Sequence, residues 1–398
     1  MMVKILLVVA SVARLGCVFG CQSDEDCELN GLCEDRVCRC FNGWKGSTCG
    51  TLDLLPAKTP YGTWPTEKEQ SGIVPNSSAY SWGFSYLFSD GKHHGFANVG
   101  CYICKVGQVV GSFLAHVQSD NIEGPYSYVD TAIPQNAFNP HVYRLERGYA
   151  MVYRSNHYDN KYSVCTGDHD TPVGPPSTNT SEIKKAKAMN LAFSNSLNGP
   201  WSIQPMVIKG WESIHVSNPS LLFLENGTVL LAYRYNIGGE HIGFAKGPSV
   251  HGPFTHYANL SIPGEDPFIW MSKRGTFHML FHVEDSRAYS SAPGLHAFSK
   301  DGLSWKVSNA TQGAYSTTIH FRDGTQKRYY RRERPELVFN AHGDPVHFFS
   351  AAQDNEKLFG CSFGYARSIV QPISSGILIE MHRDIPISNS TFGVSSIQ

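Results

Sequence analysis

The chain has 398 residues, which is enough for two or three average domains or for one large domain with an attachment. Its formal net charge is −1, so it lacks the basic excess with which nucleic-acid-binding proteins hold phosphate groups. Aromatic residues make up 12% of the chain and charged residues 17%, a balance that favours a stranded fold or a sugar-binding surface over a helical bundle.

Residues 1–20 have the pattern of a secretory signal peptide. Lys4 precedes an apolar run, Ile5 to Ala13, and small residues follow it. We therefore expect a secreted, extracellular protein whose mature chain begins after the signal. A bacterial lipoprotein signal ending at Cys17 is the weaker alternative, because Arg14 interrupts the apolar approach to it. No transmembrane segment is expected, because no later stretch approaches the roughly 18 apolar residues that a membrane span needs.

N-glycosylation is expected if the chain is secreted, because six Asn-x-Ser/Thr sequons would then be usable. Such sequons are common by chance, so no single one carries much weight. They begin at Asn76, Asn179, Asn226, Asn259, Asn309 and Asn389.

Six cysteines lie close together after the signal, at positions 21, 27, 33, 38, 40 and 49. A short segment with so few apolar residues cannot fold by burial alone, so in a secreted protein three disulfides are the simplest explanation. Six cysteines allow many pairings, and spacing alone does not choose among them. Metal ligation is the alternative use, which an oxidising compartment disfavours.

The spacing C-x5-C-x5-C-x4-C-x-C-x8-C resembles that of an EGF-like domain, most specifically in its ending, Cys38-Arg39-Cys40 and Gly46-Ser47-Thr48-Cys49. The resemblance implies the pairs Cys21–Cys33, Cys27–Cys38 and Cys40–Cys49. We expect residues 21–50 to be a spacer or docking module, with a defined receptor ligand as the alternative. Residues 51–78 are rich in Pro, Gly and Thr and are expected to be a linker that leads into the main domain.

A two-strand block recurs along the rest of the chain. A polar residue and a proline open one strand, a turn follows, and a second strand returns. Gly-Pro-aromatic tripeptides follow three of the blocks, at Gly124-Pro125-Tyr126, Gly199-Pro200-Trp201 and Gly252-Pro253-Phe254. The blocks open at Asn139-Pro140, Asn218-Pro219, Asp266-Pro267 and Arg334-Pro335, and Tyr80 to Leu87 is a degenerate first copy.

Five copies of a roughly four-stranded unit predict an all-β chain, with a five-bladed β-propeller at residues 79–375 and a tail at 376–398. A β-sandwich is the alternative, but it does not predict a repeated two-part motif. The motif resembles the propellers of glycoside hydrolase family 43 and its clan relatives, families 32, 62, 117 and 130. That resemblance implies a carbohydrate in a central pocket and three inner carboxylates, namely a base aspartate from the first blade, an orienting aspartate and an acid glutamate.

Acidic residues that open the innermost strands are the candidate catalytic groups, because those positions share the central channel of a propeller. Cleavage of a glycosidic bond needs two carboxylates, one on each side of the bond. We expect Asp266 and Glu333 to be the working pair, with Glu265 and Glu336 as alternates. A structural role for Asp266 is equally well supported, because an aspartate before proline can also accept backbone hydrogen bonds at a strand opening.

The sequence departs from the three-carboxylate pattern that the resemblance implies. Ser81-Trp82-Gly83 stands where an Asp-Pro pair is expected in the first blade. Asn139 and Asn218 replace aspartates in the next two blades, and asparagine cannot act as a base near neutral pH. A glycan-binding protein that has lost the base is therefore the main alternative to an enzyme. An extracellular adhesion protein that acts through its cysteine-rich module is the third hypothesis.

Seven residues near the strand openings are candidates for sugar binding. Arg334 beside Glu333 has the pattern of a clamp for an acidic sugar or a catalytic acid. Amides and imidazoles can hydrogen-bond to sugar hydroxyls, whereas an indole can either stack on a sugar ring or pack in the core. The seven are Asn139, Asn218, Arg334, His141, His215, His282 and Trp82. For His282 a structural role is the leading alternative.

No metal or other cofactor is expected, although the resemblance leaves room for a calcium ion in the channel. The expected partner is a carbohydrate substrate or glycan ligand, not nucleic acid, and the protein is expected to be a monomer. Four further cysteines are expected to form two disulfides whose pairing stays open; these are Cys101, Cys104, Cys165 and Cys361.

Overall fold

A computed structural model gives the structure of residues 20–58, 80–100, 112–134, 137–155, 189–212, 214–283, 294–309, 313–353 and 366–374. This part of the chain consists of strands, turns and loops and contains no helix, so none is long and apolar enough to cross a membrane. The signal peptide, most of the predicted linker, the tail and the four cysteines of the main domain lie outside the described residues.

The cysteine-rich module is a pair of small sheets held by three disulfides. Its strands are β1 (Gly31–Glu34), β2 (Val37–Cys40), β3 (Trp44–Lys45) and β4 (Thr51–Leu52), paired β1 with β2 and β3 with β4. The disulfides join Cys21 to Cys33, Cys27 to Cys38 and Cys40 to Cys49. These are the three pairs that the EGF-like resemblance implies.

Five antiparallel sheets follow, one for each blade. Blade 1 contains β5 (Tyr80–Ser89), β6 (Lys92–Gly100), β7 (Phe113–Ser119) and β8 (Ser127–Ile133). Blade 2 contains β9 (Ala137–Arg144), β10 (Tyr149–Ser155), β11 (Met189–Ser194) and β12 (Ser202–Pro205). Blade 3 contains β14 (His215–Phe223), β15 (Val229–Asn236), β16 (Glu240–Gly247) and β17 (Phe254–Pro263), with β13 (Ile208–Lys209) parallel to β17.

Blade 4 contains β18 (Glu265–Met271), β19 (Phe277–His282), β20 (Gly294–Ser299) and the short β21 (Lys306–Val307). A two-stranded ribbon follows, formed by β22 (Thr318–His320) and β23 (Gln326–Arg328). Blade 5 contains β24 (Arg331–Phe339), β25 (Pro345–Gln353) and β26 (Ala366–Pro372). The predicted all-β fold with a five-bladed propeller is therefore confirmed.

The hydrophobic core is divided among the contacts between neighbouring blades. Between blades 2 and 3, for example, Val152 and Leu191 pack with Leu221 and Leu231, all at most 2% exposed. Equivalent clusters lie between blades 1 and 2, 3 and 4, 4 and 5, and 5 and 1. Because every blade buries both faces, its inner strands are apolar on both sides. The polar residues that are buried on these strands are therefore candidates for a functional site.

The Gly-Pro-aromatic tripeptides occupy equivalent places in the first three blades. Each joins the third strand to the fourth, and each Gly-Pro peptide bond is cis, at Gly124-Pro125, Gly199-Pro200 and Gly252-Pro253. In blade 4 the turn at Asp301-Gly302 takes the same place. The second part of the sequence motif thus marks the outer half of a blade.

The chain before blade 1 closes the ring at its outer edge. The backbone N–H of Leu55 donates to the carbonyl oxygen of Pro372 on β26 at 2.8 Å, and Leu54 forms a bridge with Ile373. Ala57 forms a second bridge, with Phe321. The first part of the predicted linker is therefore a structural element of blade 5.

The cysteine-rich module packs directly on the propeller. The rings of Trp44 and Trp270 are stacked with centroids 6.3 Å apart and planes 14° apart. Cys27 and Cys49 share this cluster with Phe268 of blade 4 and with apolar residues of blade 5. In this structure, the module expected to be a spacer or docking module packs on the propeller of its own chain.

Candidate functional site

The innermost strand of every blade is interrupted by a β-bulge at the same place. The pairing register shifts between Ser81 and Phe84 in blade 1, between Ser217 and Ser220 in blade 3, and at the matching points of the other blades. One residue of each bulge has a positive φ: Gly83 (103°), Asn139 (51°), Asn218 (52°), Asp266 (58°) and Arg334 (58°). Glycine, asparagine and aspartate tolerate this conformation best, which explains four of the five choices.

These five residues, called here the channel ring, meet at the centre of the propeller. The amide of Asn139 donates to Oδ1 of Asn218 at 2.7 Å, and the amide of Asn218 donates to Oδ1 of Asp266 at 2.6 Å. The guanidinium of Arg334 contacts the same Asp266 oxygen. Asp266 is therefore held by side chains in a hydrogen-bonded chain that crosses four blades, whereas the structural alternative had expected backbone donors.

Gly83 leaves a gap in the ring. A Cβ atom at this position would lie 3.7 Å from Cγ of Arg334 and 3.8 Å from Oδ1 of Asn139, which is ordinary contact distance. This is the place at which the resemblance implies a base aspartate, so the first blade contributes backbone here and no acid.

The space enclosed by the ring and the residues that follow it is small. Its volume is about 20 Å³, and its lining includes Pro140, Pro267 and His141. A cavity of that size has room for about one water molecule and none for a sugar ring. A carbohydrate would therefore have to bind above the ring and not within it.

A second group of polar side chains lies on the other side of the bulges, next to the strand openings. We call it the Arg/Glu cluster; it comprises Arg154, Arg234, Glu240, Glu265, His282, Arg331 and Glu333. Glu265 and Glu333 directly precede the ring residues Asp266 and Arg334, so the bulge separates the side chains of neighbours in sequence.

The cluster brings two carboxylates from adjacent blades together. A carboxylate oxygen of Glu265, one of Glu333 and a ring nitrogen of His282 all lie within 4.8 Å of one another. Nη1 of Arg234 lies 2.7 Å from Glu265, and Nε of Arg234 lies 2.6 Å from Glu240. Glu265 and Glu333 are 6% and 1% exposed, so this is a buried charge network.

The carboxylates of Glu265 and Glu240 differ in their pKa values. Burial alone would raise the pKa of Glu265, but the positive charges of Arg334 and Arg234, with His282, lower this pKa to about 2. Burial raises the pKa of Glu240, whose carboxylate also faces that of Glu265. Glu265 is therefore ionised at neutral pH and cannot serve there as a proton donor.

The cluster fits a calcium ion poorly. Calcium takes about six to eight oxygen ligands, whereas one corner of the Glu265–His282–Glu333 group is an imidazole nitrogen. Arg234 already neutralises Glu265, and Arg334 adds a further positive charge to the same region. The carboxylates are thus balanced by guanidinium groups without a metal ion.

Glu336 lies in the contact between the first and last blades, below the bulge. Its carboxylate accepts hydrogen bonds from the backbone N–H of Tyr86 and from the hydroxyl of Ser85, and it lies 3.1 Å from Nδ1 of His141. Its expected role as an alternate catalytic group is therefore replaced by a structural one. His141 lines the small cavity, but this ring nitrogen is directed at Glu336.

Trp82 does not reach the channel, although it was a candidate for sugar binding. It is 1% exposed and packs in the core with Phe138, Ala351 and Ala366. Full burial leaves no ring face for a sugar, so the stacking role is wrong and the core-packing alternative holds. His215, at the start of β14, is only partly buried; burial lowers its pKa, and so do the nearby charges of Arg154 and Arg234.

Arg154 and Arg234 are the functional candidates that the sequence analysis missed. They lie near the ends of the second strands of blades 2 and 3 in the same context, Tyr153-Arg154 and Tyr233-Arg234. In blade 4 His282 takes this place, since it pairs in register with Glu265 as Arg234 pairs with Ser217. Alignment of the second strands, and not only the first, would have revealed the shared position.

The fold is similar to that of solved glycoside hydrolases. A family 117 glycoside hydrolase of the marine bacterium Zobellia galactanivorans has a TM-score of 0.50 at 12% identity, over 82% of this chain and 90% of that one. An α-L-arabinofuranosidase of Podospora anserina has a TM-score of 0.51 at 11% identity, over 84% and 98%. The catalytic domain of a family 62 α-L-arabinofuranosidase of Coprinopsis cinerea has a TM-score of 0.50 at 11% identity, over 84% and 97%.

The chain has a glycoside hydrolase-like propeller fold. This confirms the fold that the strand-opening motif implied. No protein-family model and no curated protein matches the sequence. Because the identities to the solved structures are so low, the likeness extends to the fold and does not carry an activity with it.

Proposed function

We propose that the protein is a secreted glycoside hydrolase that binds a carbohydrate above the channel ring and cleaves a glycosidic bond there. The observation that supports this most is the pair Glu265 and Glu333, which adjacent blades bring to within 4.8 Å. In retaining glycosidases the two carboxyl groups are about 5 to 5.5 Å apart. The proposal therefore moves the catalytic pair from Asp266–Glu333 to Glu265–Glu333.

The low pKa of Glu265 assigns it the ionised role in this proposal, and Glu333 takes the remaining role of acid and base. Glu265, whose pKa is about 2, is the ionised group that attacks the anomeric carbon and forms a glycosyl–enzyme bond. Glu333 donates a proton to the departing glycosidic oxygen and then takes one from the water that releases the sugar. His282 and Arg234 hold the Glu265 carboxylate in place.

A glycan-binding protein without turnover is the second candidate. It is favoured by Gly83, which offers no acid in the first blade, and by the amides of Asn139 and Asn218 in the next two. Such a protein would use the same Arg/Glu cluster to hold a sugar and would have no need of a protonated Glu333.

A glycosidase panel and a glycan array on the same purified protein test both candidates. We expect retained stereochemistry of the product by NMR, and a loss of turnover of roughly 10²-fold or more in Glu265→Gln and Glu333→Gln with binding preserved. Glu225→Gln, in an exposed turn of blade 3, is the matched control and should keep full activity. Binding without turnover by the wild type supports the second candidate, and neither binding nor turnover overturns both.

A further inference from the structure

Arg154 stands apart from the other arginines of the Arg/Glu cluster. Arg234 is paired with Glu240 and Glu265, and Nη1 of Arg331 lies 3.7 Å from a carboxylate oxygen of Glu333. Arg154 forms no ion pair or hydrogen bond with any residue in the part of the chain that the structure describes, and its Nε is buried without an acceptor. Arg154 is only partly buried, so a ligand can reach it, and a buried N–H without an acceptor at a candidate site favours a missing ligand.

The strand register explains why the neighbouring strand β9 supplies no partner. The second-strand residues of blades 3 and 4 face polar neighbours, with Arg234 opposite Ser217 and His282 opposite Glu265. Arg154 is opposite Phe138, which is fully buried and apolar. The charges of Glu265 and Glu240 act on Arg154, and both carboxylates are paired with Arg234.

The guanidinium of Arg154 is charged under all physiological conditions. Burial, together with the charge of Arg234, lowers its pKa to about 10, which is still well above neutral pH. A planar guanidinium matches the two oxygens of a carboxylate or a sulfate group, with two parallel N–H···O hydrogen bonds. Hydroxyl groups of a neutral sugar cannot provide the charge.

We propose that Arg154 binds the anionic substituent of a carbohydrate ligand, so that the protein acts on an acidic glycan in preference to a neutral one. The inference rests on the proposed function for the carbohydrate part of the ligand. The shared chemistry is a carboxylate of a uronic acid or a sulfate ester, and both present oxygens that Arg154 can hold.

Two pairs of oligosaccharides separate the sources of the anion. Wild-type protein is titrated with a uronic-acid oligosaccharide and its carboxyl-reduced form, and with a sulfated oligosaccharide and its desulfated form. We expect the acidic member of one pair to bind at least about tenfold more tightly than its neutral counterpart. Arg154→Gln should abolish that preference, so that the acidic and neutral forms bind with equal affinity, and Arg154→Lys should keep part of it. Arg328→Gln, an exposed arginine on the β23 ribbon, removes the same charge and should change neither affinity.

A second measurement does not depend on the proposed function. Thermal unfolding is followed in sodium sulfate and in sodium glucuronate, each compared with sodium chloride at equal ionic strength. Stabilisation that is specific to one of these anions and is lost in Arg154→Gln supports the anion site even if no glycan is bound or cleaved. If neutral glycans bind or are cleaved with no acidic preference, the inference is overturned while the proposed function stands. An acidic preference that persists in Arg154→Gln also overturns it.

Discussion

Nδ1 of His296 lies 2.9 Å from a carboxylate oxygen of Glu28, although 268 positions separate the two residues. Nε2 of His296 in turn lies 3.1 Å from Nδ1 of His278, so a carboxylate and two imidazoles form a buried chain in blade 4. Blade 1 contains the same chain within its own sheet, from Asp130 through His116 to His94, with distances of 3.4 and 2.8 Å. Glu28 of the module thus supplies to blade 4 the carboxylate that Asp130 supplies to blade 1.

Removal of the Glu28 charge is expected to loosen the module. Glu28→Gln leaves His296 without its charged acceptor and weakens the hydrogen bonds from Thr48 and Ser308. We expect the free energy of unfolding to fall by about 1–3 kcal/mol in denaturant titrations. Glu34→Gln, at an exposed position of the same module, serves as the comparison and should stay within about 0.5 kcal/mol of wild type. Equal stability of the two variants would show that the buried contact contributes nothing.

Asp266 is expected to behave as a structural residue. Asp266→Asn keeps an acceptor for Asn218 but removes the carboxylate that contacts Arg334, whose charge is then balanced, among the described residues, only by Glu265. Loss of one partner of a buried ion pair costs about 3–5 kcal/mol, so the melting temperature should fall markedly. Asp35→Asn is a matched control, because Asp35 is exposed and also has a positive φ, of 50°. A variant that is fully stable but inactive would return Asp266 to the catalytic pair.

Glu336 is expected to hold the first and last blades together. Glu336→Ala removes the acceptor of the Tyr86 N–H and the partner of His141. The buried N–H left behind should lower the free energy of unfolding by about 1–3 kcal/mol, and hydrogen exchange should accelerate first at β5 and β24. Glu146→Ala, in the exposed turn of blade 2, should leave both measurements as they are. Faster exchange elsewhere, with β5 and β24 unaffected, would contradict this role.

Acid is expected to destabilise the propeller through its buried histidines. Burial lowers the pKa of His93 and of His94 to about 4 and lowers that of His278 well below the ordinary value of 6.5. Between about pH 6.5 and pH 4 the unfolded chain therefore binds protons that the folded chain does not, so the free energy of unfolding falls as the pH falls. Each such histidine contributes a slope of about 1.4 kcal/mol per pH unit in this window.

Chemical denaturation at a series of pH values across this window measures the slope. His94→Gln should make it shallower, because one of the contributing imidazoles is gone. Glu265 adds to the slope only at the acid end of this window, because its pKa of about 2 in the folded protein lies below the ordinary value of 4.5 at which the unfolded chain takes up the proton. A free energy of unfolding that is constant from about pH 6.5 to pH 4 would contradict the prediction.

The sequence predicted the channel ring better than the site above it. Asn139, Asn218, Asp266 and Arg334 were recognised as equivalent because each precedes a proline, and the structure shows why: all four have the positive φ of a bulge. Because of the same bulge, the sequence could not decide whether the side chain of Asp266 or that of Glu265 joins the ring. An extra residue in a strand redirects the side chains on either side of it, and spacing alone cannot tell which one joins the ring.

Contacts between distant parts of the chain were the other limit. Nothing in the local pattern around Glu28 indicates that it faces His296, and the linker-like residues near Leu55 give no sign that they pair with β26. Arg154 and Arg234 were missed because they close the second strand of their blocks, whereas the repeat was recognised from the first. The contacts of Glu28 and Leu55 and the positions of Arg154 and Arg234 all depend on the tertiary structure. A repeat motif predicts only the backbone conformation that its copies share.

The repeated bulge fixes one backbone conformation at five places and leaves the side chain at each place free to differ. A ring side chain can therefore be replaced while the strands keep their positions. The fold can persist while the chemistry of the channel changes. Gly83 is the one ring residue without a side chain. A Cβ atom there would meet Arg334 and Asn139 no closer than 3.7 Å, but the φ of 103° exceeds that of the other four ring residues and is strained for any residue except glycine. An acid in the first blade would therefore need a change of backbone conformation as well as a change of side chain.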